Sequence, residues 1–310
     1  MVPDAFDRLL IAELTAPVDR RITGLVDAIL GPCQPLGVLF YGSGLRQFDP
    51  DGLFDFYVIL EKLSDWHQST AARIANEWLP PNVQFAEARI DGRILRAKVA
   101  IITLAQFQAR ACPDSIDTTI WARFTQPVRL VWVRNDAAAD ALLMAIRQSV
   151  ITAAGWAARL ADGAQSPDFW WTNLFAHTYE AELRVETKSR GSVIVAGQEK
   201  RFATMLACAW DAAGISFSDI EGLWSPRLSE RQRTTARRAW RKKARRGQWL
   251  NVMRLIKAAF TFRDGARYLA WKIERHSGRS LPLSDFEARH PLLCLPWLLW
   301  RARHVFRRRR

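Results

Sequence analysis

Apolar and polar residues alternate along the first 135 residues in a way that predicts strands separated by helices. Short apolar runs rich in β-branched residues predict strands at 36–41, 55–60, 83–90, 94–103 and 127–133. Helical spacing of apolar residues predicts helices at 4–13, 18–30, 64–78 and 104–111. The turn residues Asp91 and Gly92 indicate a hairpin within this region. Residues 1–135 are therefore predicted to form one unit with a mixed sheet and flanking helices, in the α+β class.

The pattern becomes purely helical after residue 136. Three helices are predicted at 138–160, 167–186 and 199–213, which indicates a second, helical domain over 136–226. A third region, 227–310, starts with a basic segment at 231–246 that is predicted to be an exposed helix or a flexible link. Residues 250–262 place apolar and basic side chains at helical spacing, and 268–274 and 291–306 add aromatic residues beside arginines.

Composition restricts the class of protein. Hydrophobic residues make up 49% of the 310 positions, which excludes a largely disordered chain. The four cysteines are far apart in the sequence and form no Cys-x-x-Cys pair, so neither a zinc site nor a disulfide framework is expected. A reducing compartment is the natural interpretation.

Charge is distributed unevenly along the chain. From Arg227 onward there are 24 Lys/Arg and 5 Asp/Glu residues, whereas the preceding residues have 21 and 26. A strongly basic C-terminal region attached to a mildly acidic body predicts an anionic partner, either a lipid surface or nucleic acid. The alternation of arginines with tryptophan and phenylalanine favours an anionic membrane surface.

The candidate chemistry lies where the first predicted strand ends. Phe40-Tyr41 runs into Gly42-Ser43-Gly44, and Asp55 opens the next apolar strand. Glycine lets the backbone approach a triphosphate closely, and an aspartate can hold the Mg²⁺ that bridges phosphates. This layout is typical of a nucleotidyltransferase site, with Gly-Ser as an ordinary turn and a strand-capping aspartate as the alternative interpretation.

The same residues resemble a known family. Tyr41-Gly42-Ser43-Gly44, then Gln47, Phe54-Asp55-Phe56 and Asp65-Trp66-His67, are similar to the mitochondrial-type phosphatidate cytidylyltransferases of the nucleotidyltransferase superfamily. Further along, 96–102 around Lys98 is similar to the lysine-bearing strand of that family, and 121–128 around Arg123 to its arginine segment. The similarity covers roughly residues 36–135.

The resemblance implies a reaction in which CTP and phosphatidic acid give CDP-diacylglycerol and pyrophosphate with Mg²⁺. It also implies a winged-helix-like second domain and a C-terminal membrane-binding segment. Catalytic roles fall to Ser43, Asp55 and Lys98, with Asp55 as the metal ligand. The nucleotide would be bound by the residues of the turn and two arginines, namely Tyr41, Gly42, Ser43, Gly44, Arg46 and Arg123.

Simpler roles exist for three of these cations. Lys98 would extend from its strand to solvent, Arg123 would pair with a surface acid, and Arg46 would be an ordinary exposed arginine.

The sequence departs from the family pattern at the second acid. Most nucleotidyltransferases have a carboxylate two residues after the first, where this chain has Tyr57. The candidates for a second magnesium ligand are then Asp49, Asp51, Glu87 and Asp91.

Two other functions stay open at this point. One is a nucleotidyltransferase acting on RNA or another small acceptor, although no familiar RNA-binding module is present and nucleic acid is not the expected partner. The other is an inactive binding protein that keeps the fold. For the enzyme, the expected location is the cytoplasm, peripheral on the inner face of the cell membrane.

Overall fold

A mixed five-stranded sheet forms the centre of the α+β fold in a computed structural model, which describes residues 3–182, 190–261 and Ser284. The strand order is β3-β4-β2-β1-β5. The strands are β1 Gly37–Tyr41, β2 Phe54–Leu60, β3 Asn82–Ile90, β4 Arg93–Thr103 and β5 Val128–Val133. A separate hairpin pairs β6 Phe217–Ile220 with β7 Leu223–Pro226.

Helices flank the sheet and form the second half of the chain. The helices in the first half are α1 Ala5–Leu14, α2 Arg20–Leu30, α3 Ser43–Arg46, α4 Thr70–Trp78, α5 Leu104–Ala111 and α6 Thr119–Arg123. Those in the second half are α7 Asp136–Leu160, α8 Pro167–Ala181, α9 Arg190–Val195, α10 Glu199–Ala212 and α11 Glu230–Thr261.

One parallel strand pair positions the candidate site. β2 runs antiparallel to β1 but parallel to β4. On the outer sides of the sheet, β1 pairs antiparallel with β5, and β4 pairs antiparallel with β3. Consequently the end of β1 lies beside the start of β2, and β4 passes the same point. In this register Tyr41 is opposite Asp55, and Asp55 is opposite Lys98.

The two faces of the sheet bury different partners. On one face, Phe56 and Val58 of β2 pack with Leu25 and Val26 of α2. On the other, Tyr57 belongs to a cluster that continues into the helical half of the chain, through α7, α8 and α10. The sheet and the helices after residue 136 therefore share one continuous hydrophobic core.

α7 has the length and apolar composition of a membrane-spanning helix, by those two criteria only. Of its most apolar 18-residue window, 61% is buried inside the protein. A core helix passes the same test, so this finding is weak evidence for a membrane span.

Most predicted strands and helices are confirmed, with differences at boundaries and in short elements. The helix predicted at 64–78 begins at Thr70, because Ser69, rather than Ser64, accepts the capping hydrogen bond from the N–H of Ala72. The helix predicted at 167–186 ends at Ala181. Three short helices, α3, α6 and α9, and the β6–β7 hairpin were missed, because segments this short depend on tertiary contacts for their stability.

The basic segment 231–246 belongs to one long helix, α11, that is docked against the protein body. Buried positions recur every three or four residues, so one face of the helix packs inward. This face includes Arg233, Ala236, Trp240, Lys243 and Gly247, and continues with the partly buried Arg254 and Lys257. The prediction of an exposed helix or flexible link is therefore wrong for this face of the segment.

The inward cations of α11 bind carbonyl groups at or directly after the C-terminal ends of other helices. Arg233 donates to the carbonyls of Ala158 and Ala161 at the end of α7. Lys243 donates to the carbonyl of Pro113, 2.8 Å away in the loop after α5. The predicted amphipathic segments at 268–274 and 291–306 and the end of the chain lie outside the described residues.

Candidate active site

The site is built on a glycine that brings the end of β1 close to Asp55. Gly42 has φ 89° and ψ −159°, a conformation that is essentially restricted to glycine. A Cβ atom at this position would lie 3.0 Å from the Oδ2 atom of Asp55. The turn therefore requires glycine both for its backbone conformation and for the space that the Asp55 carboxylate occupies.

Lys98 lies on the same face of the sheet as Asp55. The two residues are opposite each other in the parallel β2–β4 pair, and residues paired in this way project to one side. One step further out on that face, Arg96 is paired with Glu87 across β3 and β4, with 3.0 Å between Nε and Oε1. This face of the sheet therefore holds Asp55, Lys98 and the Arg96–Glu87 ion pair on neighbouring strands.

Arg123 reaches the same face from α6. Its Nη1 atom donates a hydrogen bond to the Tyr57 hydroxyl at 2.7 Å, and its guanidinium lies 5.3 Å from the centre of the Tyr41 ring. Burial by itself would lower the pKa of Arg123, but Tyr41, Tyr57, Glu182 and Asp55 raise it above its ordinary value. The guanidinium consequently keeps its positive charge within the protein, near Asp55.

The Tyr57 side chain lies on β2, two residues after Asp55 and on the same face of the sheet. The residue is 1% exposed, and its hydroxyl accepts the hydrogen bond from Arg123. Two residues after Asp55, the site therefore contains a hydroxyl that binds the Arg123 guanidinium, and no carboxylate.

A buried ion pair lies behind Arg123, at the start of α6. Asp117 is 3% exposed and is paired with Arg254 of α11, with 3.0 Å between its Oδ1 atom and Nη1. It also accepts a hydrogen bond from the N–H of Thr119, the first residue of α6. Burial would raise the pKa of Asp117, but Arg254 and Thr119 lower it overall, so the carboxylate is ionised.

The remaining turn residues occupy different environments. Ser43 and Arg46, at the two ends of α3, are exposed. Gly44 faces the opposite side of the sheet, where an added Cβ would lie 2.8 Å from the Phe54 ring. Its small size is thus required for packing against Phe54, a role separate from its predicted contact with the triphosphate.

The described residues supply few ligands for a metal. Within them, no group of three or more His, Cys, Asp or Glu side chains is placed to hold an ion. Two of the four candidate second ligands are engaged elsewhere: Glu87 pairs with Arg96, and Asp91 lies in the β3–β4 turn beside Arg20. Asp49 accepts a hydrogen bond from the N–H of Asp51 in the loop before β2.

Residues from distant parts of the chain surround the site and were not predicted. Glu182, directly after α8, accepts a hydrogen bond from Thr118 at 2.9 Å, and Arg254 comes from α11. Asp117-Thr118-Thr119 before a short helix is a recognisable capping pattern. No comparable local pattern identifies Glu182 or Arg254, because their roles depend on packing between separate helices.

The chain matches no protein-family model and no curated protein.

Proposed function

We propose that the protein is a membrane-peripheral phosphatidate cytidylyltransferase, which makes CDP-diacylglycerol and pyrophosphate from CTP and phosphatidic acid. The observation that carries the proposal is the convergence of Gly42, Asp55, Lys98 and Arg123 at one sheet edge. These residues are up to 81 positions apart in the sequence, yet β1, β2, β4 and α6 bring them to the same face. A close backbone turn, one carboxylate and buried or partly buried cations suit a metal-bound triphosphate.

Asp55 is the residue that would hold Mg²⁺. A single protein carboxylate fits this ion, since Mg²⁺ in phosphoryl-transfer sites is commonly bound by one or two carboxylates, substrate phosphates and water. When bound, the ion neutralises charge on the phosphates.

The residues of the chain then bind and orient the two substrates. The turn at Gly42-Ser43 admits the triphosphate close to the backbone, and Lys98 and Arg123 balance its negative charge. A phosphate oxygen of phosphatidic acid attacks the α-phosphorus of CTP, and the bond between that phosphorus and the bridging oxygen to the β-phosphate breaks, which releases pyrophosphate. Because the attacking oxygen is already anionic, the step requires positioning and charge stabilisation but no general base.

The outer face of α11 supports attachment to an anionic membrane. Five cations on this helix line a shallow surface depression, namely Arg238, Arg241, Lys242, Arg245 and Arg246. The next turns expose Trp249, Met253 and Ile256, with 72%, 46% and 51% of their surfaces accessible. Cations followed by exposed apolar side chains are typical of helices that lie in a membrane interface. We therefore place the enzyme on the inner face of the cell membrane.

The domain organisation belongs to the same proposal. The mixed sheet of residues 1–135 would be the nucleotidyltransferase domain. The helices of 136–226, which end in the β6–β7 hairpin, would be the winged-helix-like domain, since a hairpin after a helical bundle is what such a domain requires.

The direct experiment is transfer of label from CTP to lipid. Purified protein is incubated with labelled CTP, Mg²⁺ and liposomes that contain phosphatidic acid, and lipid products are separated from nucleotide. Wild-type protein is expected to form labelled CDP-diacylglycerol, and Asp55→Asn to lower kcat/KM by about 100-fold or more. Asp91→Asn is the matched control, because Asp91 lies at the far turn of β3 and β4, and it is expected to keep full activity.

Two outcomes would contradict the proposal. If liposome-bound wild-type protein forms no labelled lipid but labels RNA, the protein is a nucleotidyltransferase with another acceptor. If calorimetry with CTP and Mg²⁺ shows binding without turnover on either acceptor, the fold serves as an inactive binding protein.

A further inference from the structure

The short helix α6 is held in place by two charged contacts at its start. Asp117 accepts hydrogen bonds from the N–H and the hydroxyl of Thr119, at 3.0 Å and 2.5 Å. Thr118, the residue directly before the helix, makes no capping hydrogen bond with its side chain and instead donates to Glu182. A helix of five residues cannot persist through its own hydrogen bonds, so these contacts decide where it lies.

Asp117 is in turn held by cations from two other helices. Arg254 of α11 bonds both carboxylate oxygens of Asp117, and its Nη2 atom also donates to the carbonyl of Pro80. Arg110 of α5 lies 3.5 Å from the same carboxylate. Because Asp117 is nearly inaccessible to water, removing Arg254 would leave a buried carboxylate whose main counter-charge is gone.

The other end of α6 carries the arginine of the candidate site. Arg123 is the last residue of the helix and reaches Tyr57 at 2.7 Å. A displacement of the first turn of α6 would be transmitted along only five residues to this guanidinium. The chain of contacts therefore runs from Arg254 to Asp117, through α6 to Arg123, and from there to the face that holds Asp55.

We propose that Arg254 is a positioning residue that holds α6, through Asp117, in the place where Arg123 can serve the site. The effect of Arg254 on cytidylyl transfer rests on the proposed function, whereas its effect on the position of α6 does not. It makes α11 a part of the active-site architecture, on the face opposite to the one that exposes Trp249 and Met253. The helix that we propose to contact lipid would thus also support the residue that neutralises phosphate charge.

The test is a double-mutant cycle in the full chain. Arg254→Gln and Arg123→Gln are each expected to lower kcat/KM for CTP by about 10- to 100-fold, since a misplaced site group costs activity on that scale. The double variant is expected to be no less active than Arg123→Gln alone, because Arg254 acts only through Arg123. Losses that multiply in the double variant would overturn the proposal.

Conservative variants separate positioning from general stability. Arg254→Lys keeps the charge but not the two-pronged contact with the carboxylate, so partial recovery of activity is expected. If Arg254→Gln does not fold, Asp117→Asn takes its place in the test. It retains the shape of the side chain and is expected to show the same loss of kcat/KM. Lys257→Gln, one turn further along α11, removes bonds to the loop after α4 and to Asn82 of β3 but none to Asp117, and should lower stability while keeping kcat.

A measurement without substrate distinguishes failure of this inference from failure of the proposed function. Amide hydrogen exchange in a peptide covering 117–124 is expected to be faster in Arg254→Gln than in wild-type protein or in Lys257→Gln. If exchange behaves in this way but wild-type protein transfers no label from CTP, the contact chain stands and the proposed reaction is wrong. Equal exchange in Arg254→Gln and wild-type protein would refute the positioning role directly.

Discussion

Gly42 shows how one residue sets the distance between the turn after β1 and the Asp55 carboxylate. Its backbone conformation excludes side chains, and the space beside it is filled by Asp55. The sequence predicts a glycine here because the absence of a side chain would let the backbone approach a triphosphate. Only the register of β1 and β2 shows that a side chain at this position would collide with the Asp55 carboxylate.

Replacement of Gly42 by alanine is expected to affect activity more than stability. The strained backbone should cost about 1–3 kcal/mol in the free energy of unfolding. The new methyl group would also push Asp55 away, so cytidylyl transfer should fall by about 10-fold or more. Gly222→Ala is the matched control: its φ is 79° and nothing lies within 4 Å of an added Cβ, so it carries the strain without the clash.

Chemical denaturation and the CTP assay together check this prediction. If Gly42→Ala and Gly222→Ala lose similar stability and both keep full transfer activity, the close approach of Gly42 to Asp55 has no functional role.

At the scale of elements, α11 shows how a basic segment becomes part of a protein interior. Its inward arginines and lysines donate hydrogen bonds to carbonyl groups at or directly after the C-terminal ends of α7, α5 and α4. Buried carbonyls need donors, and the C-terminal ends of helices favour positive charge, so cations are well suited to this face. The composition of 231–246 predicts exposure because it counts charges and cannot show which of them have partners.

Lys257 is a partly buried amine where α11 docks against the loop after α4 and the start of β3, and we expect its protonation to affect stability. Its Nζ atom donates to the carbonyl of Pro81 at 2.7 Å and to the Oδ1 atom of Asn82 at 3.0 Å. Burial, followed by the neighbouring Arg254 and Arg110, lowers the pKa of Lys257 from 10.5 to about 7. The unfolded chain therefore keeps a proton that the folded chain releases between pH 7 and 10.5.

The free energy of unfolding is consequently expected to rise with pH across this interval, relative to a variant without the amine. Below pH 7 both states are protonated, and the full cost of burying the charge is present. Urea denaturation of wild-type protein and Lys257→Met at several pH values measures the difference. A difference between the two proteins that does not change between pH 7 and 10 would show that the amine keeps its proton in the folded state.

For the whole molecule, the two faces of α11 differ in their charged and apolar contacts, and the two roles that we propose fall on opposite sides of this one helix. The inward face of α11 supports α6 and the candidate site, and the outward face exposes five cations and three large apolar side chains. An enzyme whose acceptor is a lipid must hold its site near the bilayer surface. A single rigid helix that is shared by the site and the membrane would meet that requirement.

Removal of the exposed apolar side chains is expected to weaken membrane binding. Trp249→Ser combined with Met253→Ser should reduce association with anionic liposomes by about 10-fold or more, since each side chain contributes roughly 1.5–3 kcal/mol when it is fully buried. The remaining electrostatic binding should weaken further as salt concentration rises. Sedimentation with liposomes measures both effects.

Ile220→Ser is the control for that experiment. Ile220 is also a large exposed apolar residue, with 66% of its surface accessible, but it lies on the β6–β7 hairpin and not on α11. Unchanged liposome binding in the α11 variant, or an equal loss in Ile220→Ser, would contradict a specific role for the outer face of this helix.

The sequence by itself determined the α+β class, nearly all of the longer helices and strands, and the pairing of a Gly-Ser turn with Asp55. These features follow from local patterns, since periodicity, capping residues and glycine requirements act over a few neighbouring positions. Tertiary structure alone decided that Arg123 binds the Tyr57 hydroxyl and that Arg254 pairs with Asp117. These contacts join residues that are 66 and 137 positions apart, and their formation depends on how separate helices and strands pack, which no local pattern encodes.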